Sequence, residues 1–140
     1  MLFRSISCEL VKAEKIRMCR SDVYSIDHSD GTRGHSGVER FEKHFIPVDP
    51  NPELTKSEIS VSQKMVDEFI AYDEVTTMGE ATTVVRCVLR NGFVIVESSS
   101  CVDPANYSEK MGAEICRERI KNKIWELLGF LLATAKNGIN

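Results

Sequence analysis

Asn91-Gly92 stands between two apolar-rich runs, TTVVRCVLR and FVIVESSS. Of all short signals it is the strongest for a β-hairpin, because both central residues of a type I′ turn require positive φ. A chain that turns here is committed to an antiparallel pair over residues 81–102. A two-residue loop sets Arg90 opposite Phe93, Val88 opposite Ile95 and Arg86 opposite Glu97, the last an opposite-charge pair of the kind that supports a register. Alternation along the strands then gives one face of Val85, Cys87, Leu89, Val94 and Val96, which reads as core. The other carries Val84, Arg86, Val88, Arg90, Phe93, Ile95 and Glu97. Half apolar and half charged, it is either a covered sheet face or a contact surface.

After the hairpin, Asp103-Pro104 has the order of an N-cap followed by proline at the first helical position, and Asn106 with Glu109 offers a second start. The spacing predicts a helix over 105–136, with Gly112, Cys116, Ile120, Ile124, Leu127 and Leu131 as its core stripe. It ends near Lys136-Asn137-Gly138, where a cation precedes residues tolerant of the left-handed conformation. Its second half is apolar nearly all round. A helix of that kind needs burial on every side, so Trp125, Leu128, Phe130 and Leu132 are expected at a homo-oligomer interface. The alternative is that the N-terminal part of the chain covers them.

Upstream, Thr55-Lys56-Ser57-Glu58 has capping-box form. Ile59, Ser62, Met65, Val66, Phe69 and Ile70 follow at helical spacing, predicting a helix over 56–72. Asp49-Pro50-Asn51-Pro52 is a breaker and divides the chain into an N-terminal strand- and loop-rich extension, 1–50, and a domain, 51–140. Within the extension, Phe3, Ile6, Leu10 and Val11 suggest a strand followed by a turn or short helix. SDVYSIDHSDGTRGHSG reads as loop, and Phe41, Phe45, Ile46 and Val48 as a short strand. The fold class is α+β: an antiparallel sheet with a central hairpin, packed by the two helices. The first fifty residues either add strands to that sheet or form a lobe of their own.

Composition excludes several roles. Eighteen basic against twenty-one acidic residues leave a net charge of −3, without the basic face of a duplex nucleic-acid binder. Five cysteines without a CxxC pair read as free thiols in a reducing cytosol. No apolar run approaches a membrane span, and Glu9 and Lys12 follow Met1 too soon for a signal-peptide core. Host cytoplasm is the expected location.

Three constellations carry candidate chemistry. The 27–35 segment, Asp27-His28-Ser29-Asp30-Gly31-Thr32-Arg33-Gly34-His35, gathers carboxylates, imidazoles and an arginine, but in no established metal-ligand or P-loop spacing. A flexible polar loop explains it as well. Cysteine catalysis needs a histidine and an orienting acid, whereas every histidine lies in the N-terminal part and Cys87, Cys101 and Cys116 read as packing residues. The third set is Arg86, Arg90, Phe93, Tyr107, Arg117 and Lys121, since arginine forks hold phosphate and aromatic faces stack on bases. These six are the expected ligand- or partner-binding residues; the plain alternative is surface ion pairs and solvated charges. No metal or other cofactor is expected.

LRNGF at residues 89–93, CVDPANY at 101–107, Gly112 and NKIWELLGFLL at 122–132 resemble one family. It consists of small bacteriophage and prophage proteins named after gene product forty-nine of one podovirus and gene sixty-six of another. The resemblance covers roughly residues 55–133. Leu128 stands where the family usually has glutamate, Ser98 and Ser99 where a glycine-glutamate pair is common, and Arg119 and Ile120 replace an asparagine-alanine pair. The family has no generally established enzymatic activity, so the resemblance implies a context rather than a mechanism. The expectation is a non-enzymatic phage accessory protein that neutralises a host factor, by binding a defence-complex protein or sequestering a small anionic signalling nucleotide. The alternatives are a nucleotide-acting or metal-dependent enzyme using the 27–35 segment, and a structural or regulatory phage component.

Overall fold

The structure, a computed structural model, describes residues 6–139. In chain order it contains β1 (Lys12–Met18), β2 (Ser21–Asp27), β3 (Arg33–Gly37), α1 (Val38–His44), α2 (Gln63–Glu68), β4 (Ile70–Met78), β5 (Thr82–Leu89), β6 (Val94–Ser100), a 3-10 turn (Pro104–Asn106) and α3 (Glu109–Asn137). Two antiparallel sheets, β1-β2-β3 and β4-β5-β6, make the class α+β. The compact units are Asp49–Gly129, and Met1–Val48 together with Phe130–Asn140. The expected strand position of Phe3 and the absence of a signal peptide at the first residues lie outside the described part of the chain.

In the unit Asp49–Gly129, the β5–β6 hairpin forms where Asn91-Gly92 predicts it, but with a different loop. The Leu89 N–H donates to the Phe93 carbonyl (2.8 Å) and the Gly92 N–H to the Leu89 carbonyl (2.9 Å). The loop is therefore three residues, Arg90-Asn91-Gly92, a type I turn closed by a left-handed glycine at φ +84°. Asn91 Oδ1 accepts the Phe93 N–H (3.0 Å), the local side-chain bond that makes asparagine a turn former. The partners become Val88 with Val94, Arg86 with Val96 and Val85 with Glu97. A one-residue slip exchanges the faces of a strand. Ile95 is buried, while Val94 and Val96 face outward, correcting the expected core face.

The inner face of this sheet carries Thr83, Val85, Cys87, Leu89 and Ile95. Against it lies α3, whose buried residues are Gly112, Ala113, Cys116, Ile120, Ile124 and Leu128. The buried row keeps four-residue steps, one ridge of the helix surface; Leu127 and Leu131, expected on it, are 41% and 39% exposed. Burying a side chain of that size contributes about 1.5–3 kcal/mol. An exposed ion pair contributes about 0–1 kcal/mol, so the apolar row holds this layer together. The helix starts later than expected. Asp103 Oδ1 caps the 3-10 turn through the Ala105 N–H (2.9 Å), the chain then extends, and the Ser108 hydroxyl accepts the Met111 N–H at the α3 start (3.3 Å). Its far end is as expected, with Gly138 at φ +70°.

The helix expected over 56–72 is replaced by α2, six residues long, and by β4. The Thr55 capping box is not used. Ser57 Oγ accepts the Ile59 N–H (3.1 Å) and Ser60 Oγ the Asn51 N–H (2.8 Å), giving this segment a local alternative to helix. Ser62 Oγ caps α2 through the Met65 N–H (3.3 Å). From Ile70 the run is rich in β-branched residues and pairs with β5 from Ile70–Leu89 to Met78–Thr82, with a register shift between Ile70 and Tyr72.

The unit Met1–Val48 with Phe130–Asn140 has a sheet of its own. The segment expected as loop is a second hairpin: β2 pairs with β3 from Val23–Gly37 to Asp27–Arg33. Its turn is closed by the His28 N–H to the Thr32 carbonyl (2.8 Å), with Gly31 at φ +86°. The expected strand containing Phe41 and Phe45 is helix α1 from Val38 to His44. Its one-turn spacing stacks Tyr24, Phe41 and Phe45, with ring centroids 4.1 and 4.5 Å apart.

Candidate functional site

The sheet register divides the six expected binding residues. Along β5, Thr83, Val85, Cys87 and Leu89 point toward α3, and Val84, Arg86 and Val88 point away. Arg86 is on the outer face, Arg90 and Phe93 flank the turn, and Tyr107, Arg117 and Lys121 are on the α3 side. They do not line one pocket.

Four of the six, Arg86, Tyr107, Arg117 and Lys121, have partners that explain their positions. Arg86 Nη1 lies 3.0 Å from Glu74 Oε2 on β4, not against Glu97 as expected, and this bond raises its pKa. Glu97 turns inward and pairs with Lys123 of α3. Arg117 forms a two-pronged contact with Asp73, Nε at 2.7 Å and Nη2 at 3.0 Å. The guanidinium bonds hold the Asp73 carboxyl below the usual carboxylate range. Lys121 Nζ lies 2.8 Å from Asp67 Oδ1 and lowers that carboxyl likewise. The Tyr107 hydroxyl stands 2.8 Å from both Thr77 Oγ1 and Thr83 Oγ1, opposite residues of β4 and β5. Thr77 also bonds Glu109. Tyr107 thus fastens the start of α3 to the sheet.

Arg117, Lys121 and Trp125 do share an open groove of about 560 Å³, but Asp67, Glu114 and Glu118 share it with them. A wall of mixed charge does not concentrate an anion. Among the expected interface residues, Leu128 is 2% exposed; its side chain belongs to the core and is withdrawn from any partner. Phe130 is 75% exposed, and Trp125 and Leu132 are half-buried.

The feature that the expected register hid is the outer face of β4-β5-β6. Its rows are Tyr72-Val88-Val94, Glu74-Arg86-Val96, Thr76-Val84-Ser98 and Met78-Thr82-Ser100. Tyr72, Met78, Val94 and Val96 are 53%, 65%, 37% and 54% exposed, so these side chains remain open to solvent. Half of the face is apolar (Tyr72, Val84, Val88, Val94, Val96 and Met78), and the rest is the Glu74–Arg86 ion pair with threonine and serine hydroxyls. β6 is also an edge strand. Because Phe93 bonds to Leu89 at one end of β5 and Cys101 to Ala81 just before the other, alternation turns the backbone groups of Val94, Val96 and Ser98 toward the open edge. Arg119 Nη1 donates to the Ser98 carbonyl (3.0 Å) and blunts that end. Val94 and Val96 stay open beside a groove of about 380 Å³ that they form with Phe93, Lys123, Glu126 and Leu127.

In the other unit the 27–35 segment is tied down. Arg33 Nε holds Asp27 Oδ1 at 2.7 Å, Asp30 Oδ1 accepts from the Thr32 hydroxyl and N–H, and His28 Nδ1 lies 2.9 Å from Glu9 Oε1. Among the described residues no three His, Cys, Asp or Glu side chains stand close enough to share a metal ion. The cysteines described are free thiols; burial raises the pKa of Cys87 and Cys116, the reverse of what a nucleophile needs. No helix among the described residues is long and apolar enough to cross a membrane.

The family model described as phage protein (N4 Gp49/phage Sf6 gene 66) matches residues 61–136, just over half the chain. No curated protein and no solved structure matches. The matched segment contains the whole β4-β5-β6 sheet, the expected binding residues and nearly all of α3.

Proposed function

Because the chain belongs to the phage protein (N4 Gp49/phage Sf6 gene 66) family, we propose that it is a non-enzymatic phage accessory protein that acts in the host cytoplasm by docking on a host protein and neutralising it. The observation that carries this reading is the set of exposed apolar side chains on the outer face of β4-β5-β6, Tyr72, Met78, Val94 and Val96, the last two at the open edge of β6. An edge strand with free backbone groups accepts an extended segment of a partner, and side-chain pockets beside it supply specificity. Burying Tyr72, Val94, Val96 and Met78 would add the apolar core that a stable interface has. A defence-complex protein is the class of target proposed. Nucleotide sequestration by Arg86, Arg90, Phe93, Tyr107, Arg117 and Lys121 has less support, since three of those cations carry carboxylate partners and the set is divided between two faces.

The test is Val96→Glu, an outward substitution that leaves the β5 hydrogen bonds in place. Tagged wild-type and variant proteins are expressed in a host whose defence system restricts phage, and plating efficiency and co-purified host proteins are recorded. Wild-type protein is expected to raise plating and retain one host protein in fixed ratio, and the folded variant to do neither. A folded variant that still raises plating and retains the same protein refutes the docking face.

A further inference from the structure

The N-terminal unit contains a second constellation, outside the family-matched residues and independent of the docking face. All three histidines of the chain line one open cleft of about 460 Å³, together with Ser36, Arg40 and Phe45. Local geometry assembles it. Alternation along β2 sets Tyr24, Ile26 and His28 on one side, and α1 lays Phe41 and Phe45 beside Tyr24. Arg40 and His44 each precede one of those phenylalanines, again one helical turn apart, so both flank the stack on the same side.

Charge in the cleft is one-sided. No carboxylate lines it; Glu9 Oε1 stands behind it, 2.9 Å from His28 Nδ1 and accepting the Ser29 N–H (3.1 Å). The acids on α1 are engaged elsewhere: Glu39 with Lys43, and Glu42 with Tyr24 and Lys15. Among the described residues Arg40 forms no ion pair. Phe45 ends the three-ring stack, and one of its faces has no aromatic neighbour among the described residues.

We propose that this cleft binds a nucleoside monophosphate. Arg40 holds the phosphate through a guanidinium fork, and the imidazole of His44 donates to the same group. The base extends the aromatic stack as a fourth ring on Phe45, in an offset geometry that aromatic pairs favour. A volume of several hundred cubic ångströms suits a ligand of this size.

The experiment titrates the full chain by calorimetry with adenosine and guanosine 5′-monophosphate, adenosine, inorganic phosphate and zinc. Saturable one-to-one binding of a monophosphate is expected, with phosphate competing and adenosine weaker. Arg40→Ala, at an exposed position without an ion pair, should weaken the monophosphate about tenfold or more with thermal stability unchanged. Phe45→Leu should weaken the monophosphate several-fold and inorganic phosphate not at all. Val96→Glu should bind as wild type, which separates this site from the docking face. Equal affinity for adenosine and its monophosphate, unchanged binding in Arg40→Ala, or zinc binding without any monophosphate binding would each overturn the assignment.

Discussion

Gly112 tests whether α3 lies on the sheet as described. Replacing glycine by alanine inside a helix ordinarily stabilises by about 0.5–1 kcal/mol. At Gly112 a Cβ would stand 2.2 Å from Thr83 Oγ1, 2.7 Å from Thr83 Cβ and 3.4 Å from Thr83 Cγ2. Thr83 is fully buried and its hydroxyl is held by Tyr107, so it has nowhere to rotate. Overpacking of a filled core costs about 1–3 kcal/mol, and a lost hydrogen bond about 1 kcal/mol more. Set against the helix gain, Gly112→Ala should destabilise by about 1–3 kcal/mol. Gly129, on the same helix with nothing within 4 Å of its Cβ position, is the internal control and should gain about 0.4–1 kcal/mol as alanine. Urea unfolding followed by far-UV circular dichroism reads both. The midpoints should move in opposite directions at unchanged m-value, and the melting temperature of Gly112→Ala should fall by about 3–10 °C. A Gly112→Ala protein as stable as wild type, beside a normally behaving Gly129→Ala, would refute the close contact.

Leu128→Ala should cost about 2–5 kcal/mol as a core truncation, against about 0.5 kcal/mol or less for exposed Phe130→Ala; equal losses in urea would contradict the burial assigned to Leu128. Self-association through the exposed Phe130 should be lost in Phe130→Asp, seen as a fall in mass by sedimentation equilibrium, and an unchanged oligomer would exclude that surface. Asp73 has its folded-state pKa depressed by Arg117, so its stabilisation is complete above the unfolded-state carboxylate range and disappears as pH falls through the folded value. Because Arg117 is nearly half exposed, the pair contributes under about 1 kcal/mol. Arg117→Ala should therefore lose little at neutral pH and flatten the acid side of the stability curve; an unchanged acid limb would remove Asp73 from that role.

Where strong local signals met strong local geometry, the sequence told the fold. Asn91-Gly92 located the hairpin, and the four-residue apolar steps located α3. Residues 56–72 misled because Ile59, Met65, Val66 and Phe69 satisfy a helical template, while β4 exists through hairpin pairing with β5, which lies beyond that window. β2 and β3 were hidden by polarity. Ile26 is their one buried apolar residue, so period-two alternation has almost nothing to mark it. The candidate sites suffered from the same causes. Three histidines scattered over seventeen positions converge only after the second hairpin and α1 fold back on each other. The outer face emerged only with the true register, because a single residue in the turn decides which valines face solvent.

That single residue also bears on how the chain folds. β6 opens with Val94, Ile95 and Val96, so both of its faces begin apolar. A hairpin closed by two loop residues would bury Val94 and Val96 as readily as the native one buries Ile95. The two registers are close competitors, a local frustration in an otherwise consistent landscape. What separates them is Glu97: turned inward it meets Lys123, thirty-odd residues beyond the loop on α3, and slipped outward it does not. The hairpin thus receives part of its register from a helix synthesised after it, and strand order and helix docking are expected to lock together in one late, cooperative step.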